Sequence, residues 1–88
     1  MDINLIKERL LSLQADADYF DELSKKRHSF TTNLWALKEQ ATLENNANNP
    51  DMLALLEDRA KQLEGQIENC SLMMESTRKK MLRALGKL

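Results

Sequence analysis

A polar break near the middle of the chain constrains its fold more than any other feature. The segment at 44–51 reads ENNANNPD, and the stretch on either side has helical spacing of apolar residues and no proline. Asn49 is suited to cap a helix, Pro50 to occupy its first position, and Asp51 to complement the positive end of its dipole. The break therefore predicts two helical arms that fold back on each other.

The two arms form a single domain in this prediction. Helix one covers about residues 2–44, the turn 45–49 and helix two about 50–85 of the 88 residues. Charged residues make up 31% and aromatic residues 5%, which favours long helices over a sandwich, barrel or α/β fold. The sequence thus predicts an all-α protein, an antiparallel two-helix coiled-coil hairpin. Because one seam encloses little core at this size, we expect oligomerisation or a partner helix to complete it.

Apolar residues at steps of three and four define the predicted seam between the arms. Helix two follows an almost unbroken heptad from Leu53 to Leu88. Helix one places Ile3 and Leu10 in the seam, and its two short steps in a row, around Phe20, predict a stammer that overwinds the seam. The polar stretch at 24–29 leaves the continuity of helix one open. The main seam residues in this prediction are Phe20, Leu23, Phe30, Leu34, Leu37, Leu56, Leu63, Ile67, Cys70, Met74 and Met81.

One antiparallel register aligns the two seams. It pairs residues whose numbers sum to 97, which sets Leu34 against Leu63 and Arg27 against Cys70. Large residues then meet small ones in most layers, as interdigitated packing requires. The same register brings aspartates of helix one beside the basic run at 78–80, and such pairs disfavour wrong alignments.

Several apolar residues fall outside the seam, including the only tryptophan and the only tyrosine. Single exposed apolar residues are normal on protein surfaces and need no function. A stripe wider than one seam, however, is typical of a helix with more than one neighbour, and we favour a second interface. A homodimeric four-helix bundle or a groove on a different protein would bury it. The candidate interface residues are Tyr19, Trp35, Leu43, Leu55, Leu72, Met73, Leu82 and Leu85.

Charge and cysteine usage limit the compartment and the partners. Thirteen basic residues nearly balance fourteen acidic ones, so no overall positive field attracts nucleic acid or an anionic membrane. The longest apolar runs are far shorter than a membrane span, and no signal peptide is visible. The single Cys70 excludes an internal disulfide framework and is typical of a reducing compartment. We expect a cytoplasmic protein without a membrane partner.

The sequence offers little catalytic chemistry. His28 is the only histidine, and with Cys70 it falls well short of a zinc site. A Cys–His nucleophile pair would lack an orienting group and a pocket, so a solvated histidine and a packed cysteine are the better interpretation. There is no Gly-rich phosphate loop and no nucleotide fingerprint. We therefore predict a non-enzymatic protein with no catalytic residues, no metal and no cofactor.

Two short basic runs keep an alternative function open. Lys25-Lys26-Arg27 and Arg78-Lys79-Lys80 could contact phosphates in a dimeric, hairpin-type regulator that binds nucleic acid. Such runs are more often solvated helix faces, and acidic residues lie close to both. The leading hypothesis is a protein–protein interaction module that works through helix packing, on itself or on a partner.

The turn and the start of helix two also resemble a known family. The segment at 50–56, PDMLALL, after an Asn-rich break is similar to the small helical hairpins of bacterial type III secretion systems, which include needle subunits and their chaperones. The resemblance covers that segment together with chain length and architecture. The basic end at 78–87 and a helix that starts almost at Asp2 differ from needle subunits. The resemblance thus implies a cytosolic secretion chaperone or accessory protein rather than a filament subunit.

Overall fold

The computed structural model describes residues 2–88, which form two long helices packed side by side. Helix α1 spans Ile3–Thr42, the short α2 spans Glu44–Ala47 and α3 spans Pro50–Leu85. The molecule measures 68 × 14 × 13 Å, and these residues include no strand. The predicted all-α helical hairpin is confirmed. Met1, which the predicted domain included, lies outside the described residues.

Both long helices begin at a side-chain cap. The carboxylate of Asp2 accepts a hydrogen bond from the backbone N–H of Asn4 at 3.0 Å. The side-chain oxygen of Asn49 accepts one from the N–H of Met52 at 3.2 Å, and Pro50 follows at the first helical position. These contacts satisfy donors that have no partner inside a helix, so they fix where each helix starts.

Replacing Asn49 with alanine is expected to lower the free energy of unfolding by about 1 kcal/mol, because the cap of α3 is lost. Urea unfolding followed by circular dichroism measures the change. Asn45→Ala, an exposed asparagine in the same turn, is the matched control and is expected to change stability by less than half as much. Equal losses in the two variants would mean that the Asn49 cap does not anchor α3.

The turn predicted at 45–49 overlaps a short helix, α2. Leu43 is extended, with φ −66° and ψ 137°, and it ends α1 two residues before the predicted limit. The next four residues form a single helical turn, α2. The Asn46 side chain donates to the backbone carbonyl of Gln40 at 2.9 Å, and this bond ties the turn to the end of α1.

The seam of α1 is a regular heptad. Its buried and half-buried residues alternate steps of three and four from Ile6 to Ala41, and Arg9 and Asp16 occupy two of these positions. Ile3 and Leu10, which were predicted to lie in the seam, are 68% and 51% exposed. The sequence prediction followed the nearest apolar residue at each step, whereas the structure keeps the heptad. The heptad therefore needs no stammer around Phe20.

The core of the hairpin is one line of residues between α1 and α3. Leu63 is the most deeply buried, at 1% exposure. The other buried residues are Leu13, Leu23, Leu34, Cys70 and Met74. The remaining predicted seam residues, which are Phe20, Phe30, Leu37, Leu56, Ile67 and Met81, are half-buried. Most seam side chains thus keep one edge in water, as in any two-helix coiled coil.

Three polar contacts between α1 and α3 show the register. The Lys80 ammonium lies 3.1 Å from the Asp16 carboxylate, and the Arg27 guanidinium donates to the Ser71 hydroxyl at 3.2 Å. Near the end away from the turn, Arg9 donates to the backbone carbonyl of Lys87. In each pair the two residue numbers sum to within one of the predicted 97.

Helix α1 runs without a break through the polar stretch at 24–29. Arg27 occupies a seam position there, and Thr31 donates its hydroxyl to the Arg27 carbonyl at 2.7 Å. A long side chain such as arginine packs its stem on apolar neighbours while its charged group reaches the edge of the seam. This explains how the seam accommodates a charge without ending the helix.

Candidate interaction surfaces

The packed pair of helices leaves two sides of the hairpin open. Residues seven apart on one helix of a coiled coil lie on the same side. On the first, the Leu10 side, a groove of about 440 Å³ is lined by residues that include Gln14, Ala17 and Arg78. On the second, the Tyr19 side, a groove of about 270 Å³ is lined by residues that include Tyr19 and Met73. Every exposed residue of the two long helices belongs to one of these sides or to an outer helix face.

The candidate interface residues are all exposed but do not share a side. Trp35, Leu82 and Leu85 lie on the Leu10 side, since they are separated by multiples of seven from Gln14, Glu75 and Arg78. Tyr19, Leu55 and Met73 lie on the Tyr19 side. Leu72 points away from α1 on the outer face of α3, and Leu43 lies in the turn. The eight residues therefore do not form one continuous interface, although Tyr19 and Met73 line the same groove.

A group of exposed apolar residues lies on the Leu10 side, at the end of the hairpin away from the turn. It consists of Ile3, Leu10, Leu82 and Leu85, and we call it the far-end apolar face. Their exposures are 68%, 51%, 53% and 53%. Two grooves of about 440 and 430 Å³ continue from it, and Gln14 lines both. The sequence prediction missed Ile3 and Leu10 because it assigned them to the seam.

Charges of both signs surround the far-end apolar face. Lys7 lines one of its grooves, and Asp18, Asp21 and Arg78 line the other. Arg78 is held by Glu75, whose carboxylate accepts from the guanidinium Nε at 2.9 Å. This hydrogen bond lowers the pKa of Glu75 and raises that of Arg78. Because both side chains are about half exposed to solvent, the pair adds little to stability, and its effect is lost as the pH falls through the lowered pKa of Glu75.

A cluster of basic residues lies on the Tyr19 side at the same end of the hairpin. A groove of about 340 Å³ is lined by Arg9, Lys80, Arg83 and Lys87 together with Ser12 and Ala84. We call it the basic groove. Asp16 neutralises Lys80, but Arg83 and Lys87 form no ion pair within the described residues. The sequence analysis noted the basic end at 78–87 but missed the groove, because Arg9 and Ser12 join it from the other helix.

The predicted basic runs do not form one surface. Arg27 lies in the seam, Arg78 on the Leu10 side and Lys80 on the Tyr19 side. Lys25 and Lys79 lie on the outer helix faces, and Lys26 lines the Tyr19 groove. Consecutive residues of a helix are about 100° apart, so three basic residues in a row spread around it. The nucleic-acid hypothesis therefore loses the surface that the two runs were expected to supply.

The residues with chemical potential are also separated. Cys70 is buried and contributes to the floor of the Tyr19 groove, whereas His28 is exposed on the Leu10 side. Residues 2–88 contain no group of three or more histidine, cysteine, aspartate or glutamate side chains placed to hold a metal ion. The hairpin thus offers grooves and charged patches for other molecules to contact, and the prediction of a non-enzymatic protein stays a prediction.

Comparison with protein-family models, curated proteins and solved structures finds no match to this chain. The resemblance to type III secretion hairpins therefore stays a prediction from the sequence. In the described range, neither long helix has a stretch apolar enough to cross a membrane.

Proposed function

We propose that this protein is a non-enzymatic interaction module that works through helix packing, and that its far-end apolar face binds a second copy of the chain. The observation that carries the proposal is the presence of Ile3, Leu10, Leu82 and Leu85 on one side at one end, each at least half exposed. Two such faces packed together would form a four-helix bundle over the far third of the hairpin.

The energy of such a contact is enough for a weak dimer. Covering a half-exposed leucine or isoleucine contributes about 1 kcal/mol, and a symmetric contact covers each of the four twice. Association costs at least about 4 kcal/mol in lost freedom of motion, so a dissociation constant on the order of 1 mM is expected. The grooves beside Gln14 leave room for side chains of the second copy.

The charges beside this face favour a second copy over a strongly charged partner. Lys7 and Arg78 provide positive charge, whereas Asp18, Asp21 and Glu75 provide negative charge, so the rim carries both signs. In a two-fold interface a residue away from the axis meets a different residue of the other copy, and a rim of mixed charge then allows opposite charges to pair. The basic groove, by contrast, would repel its own copy.

Sedimentation equilibrium over about 0.05–1 mM tests the proposal. The apparent mass is expected to rise from 10.2 kDa towards twice that value. Leu82→Glu with Leu85→Glu is expected to weaken the dimer at least about tenfold, because charged groups would then lie in the apolar contact. The matched control is Leu72→Glu, which replaces a leucine of similar exposure, 61%, on the outer face of the same helix.

A monomer throughout this concentration range would contradict the proposal, and so would an equal loss of dimer in Leu72→Glu. Circular dichroism on every variant checks that the hairpin is still folded. A self-associating hairpin of this kind fits the chaperone or accessory role that the type III secretion resemblance implies, since its Tyr19 side stays free for another protein.

A further inference from the structure

The Tyr19 side combines an apolar groove with a basic one along a single line. Met73, Lys80 and Lys87 follow each other at intervals of seven residues, so they share one side of α3. The first groove is lined by Tyr19, Phe30 and Met73 together with polar residues that include Glu22 and Lys26. The basic groove lies farther along the same side, towards the end away from the turn. The line from Met73 to Lys87 is about 21 Å long at 1.5 Å per residue.

Some basic side chains of the basic groove form no ion pair among residues 2–88. Asp16 pairs with Lys80, and Arg9 donates to the carbonyl of Lys87 rather than to a carboxylate. Arg83 and Lys87 make no ion pair among residues 2–88. The four basic side chains of the groove thus form a single ion pair, which leaves a local excess of positive charge on a chain whose net charge is −1.

We infer that the Tyr19 side binds an amphipathic helix of another protein, whose apolar residues cover Tyr19 and Met73 and whose acidic end lies over Arg83 and Lys87. Helices commonly dock in this way, with apolar residues three and four apart in a groove. Acidic residues are favoured in the first turn of a helix, so the N-terminal end of the partner is expected at the basic groove. This inference is independent of the proposed dimer, which uses the opposite side.

An acidic helix fits this side better than a nucleic acid does. Four basic residues lie together at one end, and the adjoining groove exposes apolar surface, with Tyr19 37% and Met73 43% exposed beside the opposite charges of Glu22 and Lys26. A phosphate backbone would gain nothing from covering Met73, whereas an amphipathic helix would bury it.

The test uses two synthetic helical peptides of about 21 residues, which at 1.5 Å per residue are long enough to cover the line from Met73 to Lys87. Both carry leucines at heptad spacing, and they differ only in having glutamates or lysines in the first two turns. Binding is measured by fluorescence anisotropy of labelled peptide at low salt. The glutamate peptide is expected to bind at least about tenfold more tightly than the lysine peptide, and added salt is expected to reduce the difference.

Variants of the hairpin locate the binding site. Arg83→Glu with Lys87→Glu is expected to weaken the glutamate peptide at least about tenfold, and Met73→Asp is expected to do the same through the apolar part. Lys61→Glu with Lys79→Glu makes the same change of charge at exposed positions off the Tyr19 side, and about twofold weakening or less is expected. Circular dichroism checks that each variant is folded. The dimer dissociation constant of the Arg83→Glu, Lys87→Glu variant, measured by sedimentation, is expected to equal that of the wild type.

Three outcomes would overturn the inference. The first is equal affinity for the two peptides. The second is an equal loss in the Lys61→Glu, Lys79→Glu control, which would mean a non-specific charge effect. The third is tighter binding of duplex DNA of matched length, lost in the Arg83→Glu, Lys87→Glu variant, which would assign the basic groove to nucleic acid. If the protein proves to be a monomer, these three outcomes can still be measured, because peptide binding to the Tyr19 side does not require the dimer.

Discussion

Replacing Leu63 with alanine is expected to unfold most of the protein at 25 °C. Leu63 is 1% exposed at the middle of the seam, and truncating a buried leucine costs about 2–5 kcal/mol. A hairpin of this size with one narrow core has a total stability of only a few kcal/mol. The loss is therefore comparable to everything that holds α1 against α3.

The effect of this substitution is measured as helical circular dichroism at 222 nm and as the urea midpoint. Leu55→Ala is the matched control, because Leu55 lies in the same helix and is 66% exposed, and it is expected to change stability by no more than about 0.5 kcal/mol. All samples need the same protein concentration, since association stabilises the folded state. A Leu63→Ala protein that keeps the wild-type midpoint would place the core elsewhere.

The helix starts and the seam of α3 follow directly from the sequence. Asn49 and Pro50 at the start of α3 act locally, so their effect does not depend on the rest of the fold. Every predicted seam position of α3 from Leu53 to Ala84 is buried or half-buried, because an apolar or small residue is available at every step of its heptad. The 41% exposure of Leu88 marks where that seam ends.

The first half of α1 is different, because two of its seam positions are occupied by polar residues. Hydrophobicity alone selects Leu10 and Ala17, whereas the regular supercoil places Arg9 and Asp16 at the seam. The partners that make this acceptable, the Lys87 carbonyl and the Lys80 ammonium, belong to the other helix. A sequence pattern within one helix carries no information about such partners.

The interaction surfaces depend on this same choice of seam. Once Leu10 is assigned to the seam, the far-end apolar face loses a member and cannot be recognised. The sides of Trp35 and Leu55 likewise follow only when both heptads are fixed, and the two residues then lie on opposite sides of the hairpin. Whether an apolar residue is exposed can be predicted from sequence more easily than which residues lie beside it on the surface.

Replacing Arg27 with leucine is expected to stabilise the hairpin by about 1–2 kcal/mol. Arg27 occupies a half-buried seam position between Leu23 and Phe30, where an aliphatic side chain would be buried without removing a charge from water. The contact that is lost, one hydrogen bond of 3.2 Å from the guanidinium to the Ser71 hydroxyl, is only partly buried. A net gain is expected because water competes for this partly buried bond, which then contributes less than the roughly 1.5–3 kcal/mol of a hydrogen bond to a fully buried charge.

Two further variants separate the parts of the Arg27 side chain. Arg27→Ala removes both the stem and the charge, and it is expected to destabilise the hairpin because packing in the seam is lost. Ser71→Ala removes only the acceptor, and a loss below about 1 kcal/mol is expected. Urea midpoints at equal protein concentration rank the four proteins, with Arg27→Leu highest and Arg27→Ala lowest.

A contrary result would be an Arg27→Leu protein less stable than the wild type, together with a Ser71→Ala protein that loses the same free energy of unfolding. The cross-helix hydrogen bond would then outweigh the cost of placing a charge in the seam. Arg27 would then stabilise the fold rather than only restrict which register the two helices adopt.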